Sequence, residues 1–143
     1  MNIKVLYNSK GGSTKKLAEA IADAAGVLAE PIIGGSSLDE ADLLFIGDGN
    51  YGSTFDKKTK NFIKTLTPDK VKNAVVFGTY GRDLKAIIGA EELLKNQGIK
   101  LTGKNFGCPG NLPNKNTNHP EEKDLEAAKK FAINLIQELY NAL

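Results

Sequence analysis

The chain has 143 residues, 41% of them hydrophobic, enough for one domain with a substantial core. Lys and Arg number 19 against 17 Asp and Glu, a net charge of +2, which gives no argument for nucleic-acid binding. The single cysteine, Cys108, excludes an intrachain disulfide, and no apolar run is long enough to span a bilayer, so the expectation is a cytoplasmic protein with neither signal peptide nor membrane segment.

In chain order, strand-like runs occur at Asn2–Tyr7, Val27–Ile33, Asp42–Gly47, Asn73–Phe77 and Leu101–Phe106. Leu43 to Ile46 and Ala74 to Phe77 are apolar at every position, the pattern of strands covered on both faces. Helical patterns of period 3.6 separate most of these runs. Leu17, Ala20, Ile21 and Ala24 share a face before Gly26; Phe62, Ile63 and Leu66 precede Pro68; Ile87, Ala90 and Leu94 precede Gly98. The last helix carries Leu125, Ala128, Ala132, Leu135, Ile136 and Leu139, and Pro120-Glu121-Glu122 opens it with a proline in the first turn and acids facing the dipole. Between the second and third strands there is room for no more than a short helical turn. Alternating β and α elements predict a parallel sheet with right-handed crossovers and helices on both faces. In such sheets ligands bind beyond the carboxyl ends of the strands, so the loops after each strand are the places to search.

Three of those loops carry chemistry. Ser9-Lys10-Gly11-Gly12-Ser13-Thr14 joins the first strand to the first helix. Small residues let backbone approach a ligand, successive N–H groups and the helix terminus favour an anion, and Ser9, Ser13 and Thr14 can donate hydroxyl protons. From the loop alone, this phosphate site and a simple Ser13 or Thr14 helix cap are equally good readings. Neither GxxxxGK[ST] nor GxGxxG is present, which disfavours a nucleoside triphosphate or a Rossmann dinucleotide. The second loop, Gly47 to Thr54, includes Gly49, Asn50, Tyr51 and Gly52; the third, Gly78 to Asp83, includes Thr79, Tyr80, Gly81 and Arg82. Each sets glycines around an aromatic. Three such loops on one edge of a sheet suit a phosphate held by the first and a flat ring gripped by the others.

On these residues the chain resembles the flavodoxins, over nearly its whole length. Their phosphate loop has the form [ST]-x-T-G-x-T; Ser9, Gly12 and Thr14 match it, and Gly11 replaces a threonine hydroxyl. Tyr51-Gly52 resembles the loop that lies on the inner face of the flavin in short-chain flavodoxins, and Gly78-Thr79-Tyr80-Gly81 the loop over its pyrimidine end. The resemblance implies a flavodoxin-like three-layer α/β/α sandwich with strand order 2-1-3-4-5. It also implies one non-covalently bound FMN, with Ser9–Thr14, Gly49–Gly52 and Gly78–Arg82 as the cofactor-binding residues, and a low-potential electron carrier, monomeric, that shuttles electrons between a reductase and an acceptor protein. The family further implies that glycine at position 52 lets a peptide flip, so that a carbonyl accepts a hydrogen bond from the protonated N5 of the semiquinone. An FMN-dependent oxidoreductase with its own substrate, and a binding module of the same fold without flavin, are the alternatives.

Two features depart from the family. There is no tryptophan, and Arg82 falls near the place of the usual outer aromatic, where its charge would favour the reduced anionic ring. The chain is weakly basic (pI ≈ 8.6) where flavodoxins are acidic, and Lys57, Lys58, Lys60, Lys64, Lys70 and Lys72 stand against only Asp69. That stretch reads as a solvated helix face, or as a docking patch for an acidic redox partner. His119 reads as a capping or surface residue with no metal-ligand cluster near it, Cys108 as a small residue in a turn after the fifth strand, and Asp48 as a hydrogen-bond acceptor within its loop. Asn111–Asn118 reads as a polar surface loop on the rim of the site.

Overall fold

A computed structural model describes residues 1–35, 38–110 and 119–143. The expected polar rim at 111–118 lies outside the described residues. The strands are β1 (Ile3–Tyr7), β2 (Ala29–Pro31), β3 (Leu43–Gly49), β4 (Ala74–Tyr80) and β5 (Leu101–Pro109), and the helices α1 (Ser13–Ala25), α2 (Lys57–Ile63), α3 (Lys85–Asn96) and α4 (Glu122–Asn141). The strands form one five-stranded sheet in the order β2-β1-β3-β4-β5, every pairing parallel, as predicted.

Side-chain alternation divides the core between the two faces. Leu43, Phe45, Val75 and Phe77 point to the face covered by α1 and α4, where they meet Leu17, Ile21, Ala128, Ala132 and Leu135. Leu44, Ile46, Ala74 and Val76 point to the other face, covered by α2 and α3 through Phe62, Ile63, Ile87 and Leu94. All of β3 is buried, which explains its unbroken apolar run. α1 ends where glycine was expected to end it: Gly26 takes φ 74° and its N–H reaches the carbonyls of Ala22 and Asp23. No helix among the described residues is long and apolar enough to cross a membrane.

The strands differ from expectation mainly at their carboxyl ends. β3 continues through Asp48-Gly49, β4 through Gly78-Thr79-Tyr80 and β5 through Cys108-Pro109, all of which read as loop in the sequence. Tertiary packing overrides the turn propensity of glycine here. The missing side chain of Gly47 admits the ring of Phe77, and that of Gly78 lets the strand approach the carbonyl of Asp48, to which a Cβ would come within 2.8 Å. β2 is shorter than the predicted Val27–Ile33 because it is an edge strand that pairs only with β1, and Pro31 ends it. α4 begins at Glu122 rather than in the proline turn, with Glu121 as its cap.

Candidate functional site

The carboxyl ends of β1, β3, β4 and β5 converge on one cleft. Its walls are Ser9, Gly11, Ser13 and Thr14 from the first loop and α1; Gly49, Asn50 and Tyr51 from the end of β3; Thr79, Tyr80 and Gly81 from the end of β4; and Gly110 after β5. The enclosed part is about 90 Å³, well below the ~300–1,000 Å³ of pockets that swallow a drug-sized ligand. Such a volume suits a phosphate-sized group, with any attached ring lying across the mouth.

The first loop is shaped from within. The Gly12 N–H donates to Ser9 Oγ at 3.0 Å, which closes the turn and leaves the Ser9 proton to be given elsewhere. Gly12 is the N-cap of α1 at φ 91°, a left-handed conformation that suits glycine, and it has no side chain to cap the helix. Neither Ser13 nor Thr14 is the cap. An α-helix leaves its first N–H groups without intrahelical partners, and with the dipole they make an anion seat. Thr14 Oγ1 instead lies 2.8 Å from Thr79 Oγ1, a buried contact that ties the first loop to β4.

The second loop hangs from Asp48. This carboxylate is fully buried and accepts from the Gly49 N–H (2.7 Å), the Asp56 N–H (3.0 Å), Thr59 Oγ1 (2.6 Å) and Asn8 Nδ2 (3.2 Å). Burial nonetheless pushes its pKa up from the ordinary value, the four donors opposing it. Asn8 also donates to Asp56 Oδ2 at 3.1 Å, so the end of β1 and the start of α2 share the same network. Asp48 is thus a hydrogen-bond acceptor, as its lack of acidic neighbours in the loop suggested, but it sits in β3 and organises three elements.

Tyr51 folds back over Gly49: a Cβ there would sit 3.0 Å from the phenolic oxygen. The Lys10 ammonium lies 4.5 Å from the Tyr51 ring centroid and 3.7 Å from Asp56. Burial, then the nearby negative charge of Asp48, raises the Tyr51 pKa, against a hydrogen bond with the Lys10 backbone. Beside it, Asn50 Nδ2 donates to the Asp83 carbonyl at 3.4 Å, joining the second and third loops. Asn50 Oδ1 is buried and has no hydrogen-bond partner among the described residues.

The sequence-predicted residues therefore separate into groups. Ser9, Gly11, Ser13, Thr14, Gly49, Asn50, Tyr51, Thr79, Tyr80 and Gly81 come together as cleft wall. Lys10 stands at the rim over Tyr51, Gly12 shapes the turn, and Gly52 takes φ 64° at the apex of the second loop, next to Ser53 at φ 68°. Gly78 is buried strand packed against Asp48 and Ile87. Arg82 is exposed, directly after the wall residue Gly81, and does not itself line the cleft. Sequence reasoning missed Gly110, because only the sheet brings the end of β5 beside Thr79, where a Cβ on Gly110 would come within 2.9 Å of the Thr79 Cβ. It also missed Asn8, Asp56 and Thr59 as the support of Asp48.

Two other readings need correction. Cys108 lies in β5, not in a turn; it is buried in the core beneath α1 and α4, and burial, with the Asp124 charge, raises its pKa to about 12. His119 does have acidic neighbours. Its Nδ1 is 2.7 Å from Asp124 Oδ2, and it lies with Glu121 and Asp124 in a cluster whose ligand atoms are within 4.8 Å of one another. The acids are engaged as a reciprocal capping box at the start of α4, Asp124 accepting from the Glu121 N–H at 2.8 Å.

No family model matches the chain. It is 31% identical over 155 aligned residues, 96% of this chain and 99% of the relative, to the uncharacterized protein MJ0298 of Methanocaldococcus jannaschii. The chain belongs to the family of that protein. Among solved structures it is similar to a flavodoxin from the domain Archaea (TM-score 0.77, 21% identity, 98% of this chain and 99% of that one) and to oxidised flavodoxin 2 from Bacillus cereus (0.77, 19%, 96% and 99%). It also matches, over 100% of its own length and 37% of the other chain, the Flv1 flavodiiron core from Synechocystis sp. PCC6803 (0.75, 19%). The fold of this MJ0298 relative is flavodoxin-like.

The donor set suits a phosphorylated flavin. Ser9, Ser13, Thr14 and the start of α1 bring hydroxyls and helix N–H groups to the cleft, a setting that stabilises an anion. Tyr51 and Tyr80 line the same cleft, and Asn50 Oδ1 calls for a hydrogen-bond donor such as a hydroxyl or a ring N–H.

Proposed function

We propose that this protein binds one FMN non-covalently and serves as a low-potential electron carrier between partner proteins. The observation that carries the reading is the convergence of Ser9–Thr14, Gly49–Tyr51 and Thr79–Gly81 on a single cleft at the carboxyl edge of the sheet. In this reading Ser9, Ser13, Thr14 and the start of α1 hold the phosphate. Tyr51 and Tyr80 with their glycine backbones hold the ring, and the Asp48 network keeps the second loop at a fixed distance from the first. The cofactor when bound supplies the one-electron chemistry; the chain binds it, orients it and limits water access to it. Two of the solved structures it resembles are flavodoxins, and that likeness in fold supports a flavin as the cofactor.

Lys57, Lys58 and Lys64 are exposed on or just after α2, which starts beside the Asp56–Lys10 pair at the cleft rim. We assign this face to docking of acidic redox partners, whose encounter rates then fall as salt rises.

The test is direct. Protein purified from cells, or reconstituted with FMN, is examined for flavin absorption bands and titrated with a reductant. Stoichiometric FMN that cycles reversibly, without turnover of NADPH in the absence of a reductase, is the expected result. Turnover of NADPH by the protein alone means an oxidoreductase, and failure to take up FMN means a binding module of the same fold.

A further inference from the structure

The first loop and β4 meet through two hydroxyls. Thr14 Oγ1 is 2.8 Å from Thr79 Oγ1; Thr14 is 2% exposed and Thr79 7%, and both line the cleft. Each hydroxyl has one proton to give and two lone pairs to receive with. Their mutual bond uses one proton of the two and leaves the other for a third group. Which threonine gives and which receives is set by what else the cleft contains.

We propose that Thr79 is a positioning residue for anion recognition: it donates to Thr14 Oγ1 and thereby turns the Thr14 proton toward an anion seated at the start of α1. The proposal rests on the reading of Ser9–Thr14 as the phosphate site. The order of donation follows from the surroundings. Thr14 is in the first turn of a 13-residue helix, whose amino end favours negative charge, so the terminal proton of the pair is best used there. Thr79 stands in β4, in register with Gly49 on one side and Cys108 on the other, so its backbone is held by both neighbouring strands. Gly110 confines the side chain as well, since a Cβ on Gly110 would lie 2.9 Å from the Thr79 Cβ and 3.2 Å from its hydroxyl. A hydroxyl that receives a hydrogen bond becomes a better donor in turn, so the pair polarises toward the anion. An uncharged ligand that offers no strong acceptor at this point gains little from the same arrangement. Thr79 would therefore select for the phosphorylated form of the ligand from a position on the ring-side strand.

Three variants and three probes test this. Thr79→Val keeps the shape and removes the hydroxyl, Thr79→Ser keeps the hydroxyl, and Thr14→Val removes its target. FMN and riboflavin are titrated by flavin fluorescence, and inorganic phosphate by amide chemical shifts of Ser9–Thr14, with thermal unfolding of each variant as a check on folding. Thr79→Val is expected to weaken FMN and inorganic phosphate about fivefold and riboflavin by less than about twofold, as fits loss of a single supporting hydrogen bond. Thr79→Ser should restore both anions. In the Thr14→Val background Thr79→Val should have no further effect, because the two hydroxyls act as one unit. Equal losses for riboflavin and FMN, additive effects of the two valines, or failure of serine to rescue would each overturn the proposal. Should the wild-type chain bind phosphate with these dependences but no flavin, the FMN reading falls and the positioning role stands. If it binds neither, both fall.

Discussion

Thr59 Oγ1 donates to Asp48 Oδ2 at 2.6 Å, fastening the start of α2 to the end of β3 beneath the second loop of the cleft. The same carboxylate receives three further hydrogen bonds, yet burial still holds its pKa above the ordinary range. A carboxyl whose folded pKa is raised favours the fold most when protonated. Its contribution is fully present below the unfolded value of about 3.9 and is lost as pH rises through the folded pKa. Asp48→Asn removes this dependence. Denaturant unfolding from pH 3 upward should therefore show the wild type losing stability relative to Asp48→Asn as pH rises, with the difference levelling off above the folded pKa. A difference that stays constant with pH would mean that the four donors offset the burial of Asp48 and leave its pKa unshifted.

Thr14→Ala removes a buried hydroxyl that lines the cleft. Under the proposed function it should weaken FMN by about 1–2 kcal/mol, the loss of one hydrogen bond to a charged group, and riboflavin much less. Calorimetric or fluorescence titration of both flavins measures this. Equal losses would place the phosphate elsewhere.

Tyr51 packs over Gly49 beneath the Lys10 ammonium and lines the same cleft. If the ring of the cofactor lies on it, Tyr51→Ala weakens FMN and riboflavin alike by about 1 kcal/mol or more, because the lost stacking involves no phosphate. Fluorescence of the bound flavin should rise as the quenching phenol leaves. Unchanged affinity and fluorescence would reduce Tyr51 to packing within its own loop.

Cys108 lies 3% exposed in β5, with its thiol pushed up to about 12. Very little of it is thiolate near neutral pH, and the reagent must also reach the core. Labelling with a thiol reagent at pH 8 should be slow in the native protein and rapid in denaturant. Fast native labelling would show that β5 opens at its carboxyl end.

The alternation of apolar runs and 3.6-period stripes already determines the sheet, its parallel sense and its two helical layers. Leu43 to Ile46 and Ala74 to Phe77 are apolar at every position, which fits strands covered on both sides. The hydroxyls and glycines of Ser9–Thr14 are legible for a similar reason: the loop and the helix it feeds are contiguous, so local order alone places them together. What tertiary structure decided is non-local. Gly47, the expected last residue of its strand, and Gly78, which read as a turn residue, leave space that the ring of Phe77 and the carbonyl of Asp48 fill, and the strands run on. Cys108 lies in the core because β5 runs on beside β4, at the register that sets it beside Thr79. The pairing of Thr14 with Thr79, 65 positions apart, has no signature in either segment. Nor does the gathering of Asn8, Asp56 and Thr59 around Asp48, or the approach of Gly110 to Thr79. Periodicity reports which face of an element is buried; only the lateral order of the strands decides which side chains from distant segments meet at their ends.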